Sequence, residues 1–233
     1  MIEKKIQTKN NEEVRIYVLG KKETEQLEGV PKENLAVEIQ NLIHSRFSFP
    51  KNKIFLLDQT HSDLFYNTNQ IRPNQEGDAL YSCNLEEILV VKTADCMPLF
   101  FWSETERLIG IIHSGWKGTD LGISEKLFKF LKSKGHKIES IQGFLGPCAR
   151  KKNYEVGHDL FERFSLYAPS AIEPKENGKY SLGIDLVLKK RLQENLIDIL
   201  LEDSEICTIE NTEYHSHRRK DTGRNLNIIY RRG

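Results

Sequence analysis

The sequence is short of cysteine, of long apolar runs and of net charge, and each shortage removes a class of protein. Four cysteines, Cys83, Cys96, Cys148 and Cys207, are scattered over 233 residues without a CxxC pair. That spacing argues against a disulfide framework or a structural zinc knuckle, and it leaves each thiol free to act as a ligand or nucleophile. No apolar run approaches the ~18 residues needed to span a bilayer. The opening MIEKKIQTKNNEEVR lacks the apolar segment of a secretory leader, so the expectation is a cytoplasmic chain with no membrane partner. Lys plus Arg and Asp plus Glu both number 34, so bulk charge gives no reason to expect nucleic acid as a partner. Any basic patch has to be local. There is no internal repeat or low-complexity segment, and the length suits one domain over residues 1–233.

What is present is an alternation of strand and helix patterns, which predicts a mixed α/β domain with polar chemistry in its loops. Glu13 to Leu19 alternates polar and apolar residues and reads as a half-buried strand. A helix is predicted from Pro31 to Arg46, with Leu35, Val37, Ile39, Leu42 and Ile43 as its stripe. Short strands are predicted at Lys53 to Leu57, Ile88 to Val91, Leu108 to Ile112 and Ile138 to Leu145, with closing strands at Ile206 to Ile209 and Leu226 to Tyr230. Further helices are expected from Gly118 to Lys134, ended by Gly135, from near Val156, and from Asp185 to Leu201.

Three predicted strands run into a side chain able to bind a metal. Leu57 leads to His61, Val91 to Cys96 and Ile112 to His113. The separations, 35 and then 17 residues, are not those of a zinc finger. Strands of one sheet lie about 5 Å apart, however, so loops leaving one edge can converge on one ion. Three protein ligands leave a fourth position open, the pattern of a catalytic zinc rather than a structural one. A second reading of the same residues is a Cys96 thiolate with His113 as its base. His61 separates the two, because an ion needs it and a hydrolase does not. In the plainest reading, Cys96 is a buried small side chain and the histidines are boundary residues.

Near the C-terminus, Arg218, Arg219, Lys220 and Arg224 form the densest basic group. It is either a solvated loop or an anion site in which guanidinium groups and the backbone beside Gly223 face one phosphate. His215 and His217 alternate in an extended segment and point apart. Trp116, with Gly115 before it and Gly118 after, is a core residue or a platform for a flat ligand.

Taken together, several motifs resemble the YfiH-like family, also called the laccase-domain or polyphenol-oxidase family. They are Gln59-Thr60-His61, Gly77-Asp78-Ala79, Thr93-Ala94-Asp95-Cys96-Met97-Pro98, His113-Ser114-Gly115-Trp116-Lys117-Gly118, Leu145-Gly146-Pro147, Tyr154-Glu155-Val156-Gly157 and the Arg218 to Arg224 stretch. The resemblance implies a single-domain, four-layer α/β/β/α sandwich with mixed sheets and a zinc ion on His61, Cys96 and His113. It also implies phosphorolysis of adenosine, inosine, guanosine or methylthioadenosine, with deamination of adenosine. Purine nucleoside and phosphate would be the small-molecule partners of a monomer or homodimer. Lys117, Arg218, Arg219 and Arg224 would then hold phosphate. Asp95, placed with the catalytic set, and Asp78, placed with the substrate-binding set, would each orient a ligand histidine or accept a ribose hydroxyl, and Gln59 would meet substrate or make a loop hydrogen bond. Lys117 stands where the family pattern has Arg. The alternatives are a Cys96/His113 thiol hydrolase or amidase, and a nucleoside-binding module without turnover.

Overall fold

The computed structural model describes every residue from Met1 to Gly233. Alternating polarity at the start of the chain builds a ribbon. β1 (Ile2–Gln7) pairs antiparallel with β2 (Glu13–Leu19), the strand expected from the pattern. The single-turn α1 (Lys21–Thr24) leads to α2 (Lys32–Phe47), which stops where Ser48 turns left-handed. Ile39, Leu42 and Ile43 are buried as expected, whereas Val37 is 55% exposed.

The middle of the chain is apolar and mostly strand. After β3 (Ile54–Phe55) and β4 (Phe65–Asn67) come β5 (Ala79–Ser82), β6 (Ile88–Thr93), β7 (Met97–Ser103) and β8 (Ile109–Ser114). β7 is absent from the strands expected above; Pro98 stands at its second position, where an interior strand would donate a backbone N–H. The helix expected from Gly118 to Lys134 is instead two, α3 (Trp116–Leu121) and α4 (Ile123–Ser133), separated by Gly122 at φ 80°.

The remainder is β9 (Ile141–Leu145), β10 (Glu155–Val156), α5 (His158–Ser165), β11 (Ile172–Pro174), β12 (Tyr180–Leu182), α6 (Ile184–Glu194), β13 (Leu200–Asp203) and β14 (Asn225–Arg232). Two expectations fail here. The helix predicted to reach Leu201 ends at Glu194, and Leu200 to Asp203 pair parallel with Gln142 to Leu145 of β9. The backbone ladder outweighs the leucine periodicity, leaving Leu196 and Leu200 mostly exposed. Ile206 to Ile209 does not form a strand: only Cys207 makes a bridge, to Cys148.

Two mixed sheets result. One has the order β1-β2-β14-β6-β3 and the other β13-β9-β7-β8-β5-β4, while β10, β12 and β11 form a small separate sheet. Val14, Ile16, Leu89 and Ile229 of the first sheet pack against Phe100, Trp102, Ile111 and Phe144 of the second. The outer face of the first sheet buries Ile39, Leu42 and Ile43 of α2. That of the second buries Leu127, Phe128 and Leu131 of α4 with Val187 and Leu188 of α6. Helix, sheet, sheet and helix make the four layers implied by the resemblance. No helix is long and apolar enough to cross a membrane.

Candidate metal centre and its cavity

The site sits on the seam between the two sheets. β6 belongs to the first sheet and β7 to the second, so the Ala94-Asp95-Cys96 link carries the chain across. Asp95 makes the sharp turn at φ 79°, which delivers Cys96 to the crossing point. His61 comes from the loop after β3 of the first sheet, and His113 lies within β8 of the second. Convergence therefore does not arise from strand ends of one sheet, as the sequence reading supposed. It arises because the packed sheets bring their facing edges together.

The ligand atoms of His61, Cys96 and His113 all lie within 4.8 Å of one another, and Cys96 Sγ is 3.7 Å from His61 Nε2. Tetrahedral zinc, with Zn–S near 2.3 Å and Zn–N near 2.0 Å, separates its sulfur and nitrogen ligands by about 3.6 Å. The donor set therefore fits such an ion. Gly115 leaves the necessary space, since a β-carbon there would stand 2.8 Å from Cys96 Sγ and 3.1 Å from the His61 ring.

Asp78 organises two of the three ligands. Fully buried, it accepts a 2.7 Å hydrogen bond from His113 Nδ1, which leaves Nε2 to face the other donors. The same carboxylate accepts from the backbone N–H groups of Thr60, His61 and Ser62 and from the Ser62 hydroxyl. Those bonds hold His61 at φ 60°, a conformation few non-glycine residues adopt. Burial opposes ionisation of Asp78, but the bonds from His113 and Ser62 prevail and lower its pKa. Burial would likewise raise the Cys96 pKa, and the charges and hydrogen bonds of His113 and His61 bring it down instead. His113 shows the converse: burial disfavours its charged form, yet Cys96 and Asp78 raise its pKa. Cysteine ligates a metal as thiolate and histidine as neutral imidazole, so an ion binding there would displace the protons these donors carry.

A cavity of about 1050 Å³ opens above the three ligands. Its lining mixes apolar Trp116, Tyr154 and Ile184 with basic Lys92, His217, Arg218, Lys220 and Arg224 and the carboxylates of Asp95 and Asp221. Not all of the expected site residues reach it. Arg218 and Arg224 line the cavity, with the Arg218 guanidinium 4.7 Å from the centre of the Tyr154 ring. Arg219 turns away and donates to the carbonyls of Thr208, Ile209, Asn211 and Tyr214 and to Asp221. Lys117 is exposed outside the cavity with its ammonium over the Trp116 ring. Gln59 lines the wall, but its amide is committed to the backbone of Lys92, accepting from the N–H and donating to the carbonyl at 2.8 Å each. Asp95 is buried and accepts from Thr208 Oγ1, Ser216 Oγ and the Arg218 N–H, tying the basic loop to the Cys96 turn.

Gly223, expected to open the backbone to an anion, instead makes room for the buried His215 ring, which a β-carbon would meet at 2.2 Å. Sequence reasoning missed Lys92, Tyr154, Ile184 and the cavity position of His217. Of these, Lys92 had a readable signal, a charge directly following an unbroken apolar run.

Residues 31–232 match the family described as "Multi-copper polyphenol oxidoreductase laccase". The chain belongs to this family. Among similar curated proteins is a purine nucleoside phosphorylase of Aquifex aeolicus, 33% identical over 84% of this chain and 91% of that one. One of Haemophilus influenzae, with the same name, is 31% identical over 82% and 79%. A Neisseria meningitidis protein of solved structure superposes with a TM-score of 0.81 over 100% and 99% of the two chains at 21% identity. YlmD from Geobacillus stearothermophilus gives 0.78 over 89% and 85% at 24% identity. Both share this fold, as does the YfiH protein of Bacillus licheniformis, with a TM-score of 0.76 over 88% and 85% at 23% identity. The laccase part of the family description calls for several clustered, histidine-rich copper sites. This laccase-domain member gathers one set of three ligands, while His44 and His158 stand exposed and His215 is buried against Thr24.

Proposed function

We propose that the chain is a zinc-dependent purine nucleoside phosphorylase that also deaminates adenosine. The observation that carries the reading is a three-ligand set lining a cavity that also presents apolar and basic side chains. The purine nucleoside phosphorylase names of the relatives support it. Its substrates are adenosine, inosine, guanosine or methylthioadenosine with phosphate, handled by a cytoplasmic monomer or homodimer.

His61 Nε2, Cys96 Sγ and His113 Nε2 would hold the zinc, which when bound supplies a Lewis acid. Asp78 keeps the His113 proton on Nδ1 and so keeps Nε2 free to ligate. Trp116, Tyr154 and Ile184 give the purine a flat apolar surface, and Arg218 and Arg224 give the phosphate its counter-charge. Asp95 acts by holding the Arg218 backbone rather than by touching substrate. In phosphorolysis a phosphate oxygen bonds to the ribose C1′ and the C1′–N9 bond breaks. The base leaves with that electron pair and takes up a proton. In deamination water replaces the amine at C6 and ammonia departs.

One observation favours a second reading. Cys96, His113 and Asp78 stand in the order of nucleophile, base and orienting acid, with the Cys96 thiol pKa already lowered. Metal dependence separates the two. Elemental analysis of protein purified without added metal is expected to find one zinc per chain, and none in His61→Ala. Release of ribose 1-phosphate from inosine and phosphate is expected to disappear with the zinc. Turnover that survives chelation but not Cys96→Ala would establish the thiol hydrolase instead. A zinc-loaded protein that binds nucleoside and forms no product would be a binding module.

A further inference from the structure

Lys92 is an anomaly in the strand that leads to Cys96. The other five residues of β6 are buried. Leu89 and Val91 face the second sheet, while Ile88 and Val90 face α2. By alternation Lys92 continues the Ile88 and Val90 face, where an apolar residue would extend the core. A lysine there brings an ammonium to the cavity wall, and its only hydrogen bond from the side chain is a long one, 3.4 Å to the Leu57 carbonyl. The nearby carboxylate, Asp58, is taken by Lys32 at 3.0 Å. Burial, helped by the charges of Lys32 and Arg224, outweighs the opposing charges of Asp58 and Asp78 and pulls the Lys92 pKa below the usual lysine range. A partly desolvated cation without a carboxylate partner is destabilising unless an anion meets it.

Arg224 supplies the second cation. Leu226 lies opposite Lys92 and Asn225 opposite Thr93, so Arg224 sits one position beyond the ladder, diagonal to Lys92 on the same face. Its guanidinium donates only to the carbonyls of Thr222 and Gly223, at 3.1 and 2.8 Å. Two cations lacking acidic partners thus line the cavity, one on β6 and one just before β14.

We infer that Lys92 and Arg224 form a subsite for the tetrahedral oxyanion of a phosphate group, an assignment that rests on the phosphorylase reading for its role in turnover. The group is either inorganic phosphate as co-substrate or the ester phosphate of a nucleotide. Lys92 selects it as a point charge and Arg224 as a fork.

The test uses the protein with its metal as purified, and compares it with Lys92→Met and Lys92→Arg. Inorganic phosphate and adenosine 5′-monophosphate are titrated separately by calorimetry, and steady-state kinetics follow inosine with varied phosphate. Lys92→Met is expected to weaken inorganic phosphate binding and raise its KM at least tenfold. The KM for inosine should move less than twofold, the zinc content should not change, and Lys92→Arg should restore most of the loss. The melting temperature of Lys92→Met should equal or exceed that of the parent, because an unpaired charge has been replaced by an apolar side chain on a core face.

Weakening confined to the nucleotide would assign the subsite to an ester phosphate. Unchanged binding of both anions in Lys92→Met would overturn the subsite, as would a fall in melting temperature large enough to mark Lys92 as structural. If the parent cleaves no nucleoside, the phosphorylase reading fails, and the two titrations still decide whether the subsite exists. Should Lys92→Met not fold, Lys92→Gln serves in the same measurements.

Discussion

Asp78 and Asp95 are both buried beside the candidate metal centre, and they do different work. Asp78 lies behind the ligands and accepts from His113 and from three successive N–H groups around His61. Asp95 lies beside the turn to Cys96 and accepts from Thr208, Ser216 and Arg218, none of which is a ligand candidate. One aspartate aims the donors, and the other fastens the basic loop to them. Sequence alone placed Asp95 with the catalytic set and Asp78 with the substrate-binding set, yet gave both the same two possible roles, orienting a ligand histidine or accepting a ribose hydroxyl. What distinguishes a carboxylate is the set of donors it accepts from, and only the tertiary fold chooses that set.

The largest effect should come from Asp78→Asn. An amide cannot accept from all five donors, so zinc affinity should fall ~10–100-fold and folding stability by about 3 kcal/mol. Chelator competition and urea denaturation would measure these. Asp95→Asn should leave zinc affinity within about twofold and cost about 1–3 kcal/mol. Asparagine tolerates the left-handed turn at residue 95, so the substitution isolates the carboxylate as an acceptor. Equal losses of zinc affinity in the two variants would erase the distinction.

A smaller contrast sharpens the same comparison within the basic loop. Arg219→Gln removes a guanidinium bound to four carbonyls and Asp221, and should destabilise the fold by about 2 kcal/mol while leaving the substrate KM values unchanged. Arg218→Gln should change stability by no more than ~0.5 kcal/mol and instead lower kcat/KM for phosphorolysis.

The smallest effect concerns acid. Burial opposes the charge of Asp221, but Lys21, the Ser216 N–H and Arg219 bring its pKa from the ordinary 3.8 to about 2. A depressed carboxylate stabilises the native state above its unfolded pKa. That contribution is complete above about pH 4 and is lost as the pH falls toward about 2. Thermal melts between pH 5 and 2 should show it in the parent chain and miss it in Asp221→Asn.

Local pattern made some elements readable and long-range pairing hid others. β2 is visible because one of its faces packs inward and the other is covered only in part, so its residues alternate. β7 is not, because a proline stands at its second position, where an interior strand would donate a backbone N–H. The end of α6 is hidden in the same way: leucines at helical spacing continue past Glu194, yet the backbone of Leu200 to Asp203 is claimed by β9. His61, Cys96 and His113 were legible as ligands by residue type and boundary position. That they come from two sheets was not, since the crossing depends on the φ of Asp95 and on sheet packing. Arg218 and Arg219 are identical in type and adjacent in sequence, and only the path of the loop sends one to the cavity and the other to the carbonyls.

The seam has a consequence for time as well as for geometry. One ligand follows the first sheet, one sits on the crossing and one lies within the second, so an ion held by all three staples sheet to sheet. The three donors meet only after both sheets have docked. Contacts that need both sheets docked are expected to form after the folding transition state, where they slow escape from the native basin without hastening entry, an order that unfolding and refolding rates with and without zinc would test. Zinc would thereby lengthen the lifetime of the folded molecule, and its removal would show first as faster unfolding rather than as slower refolding.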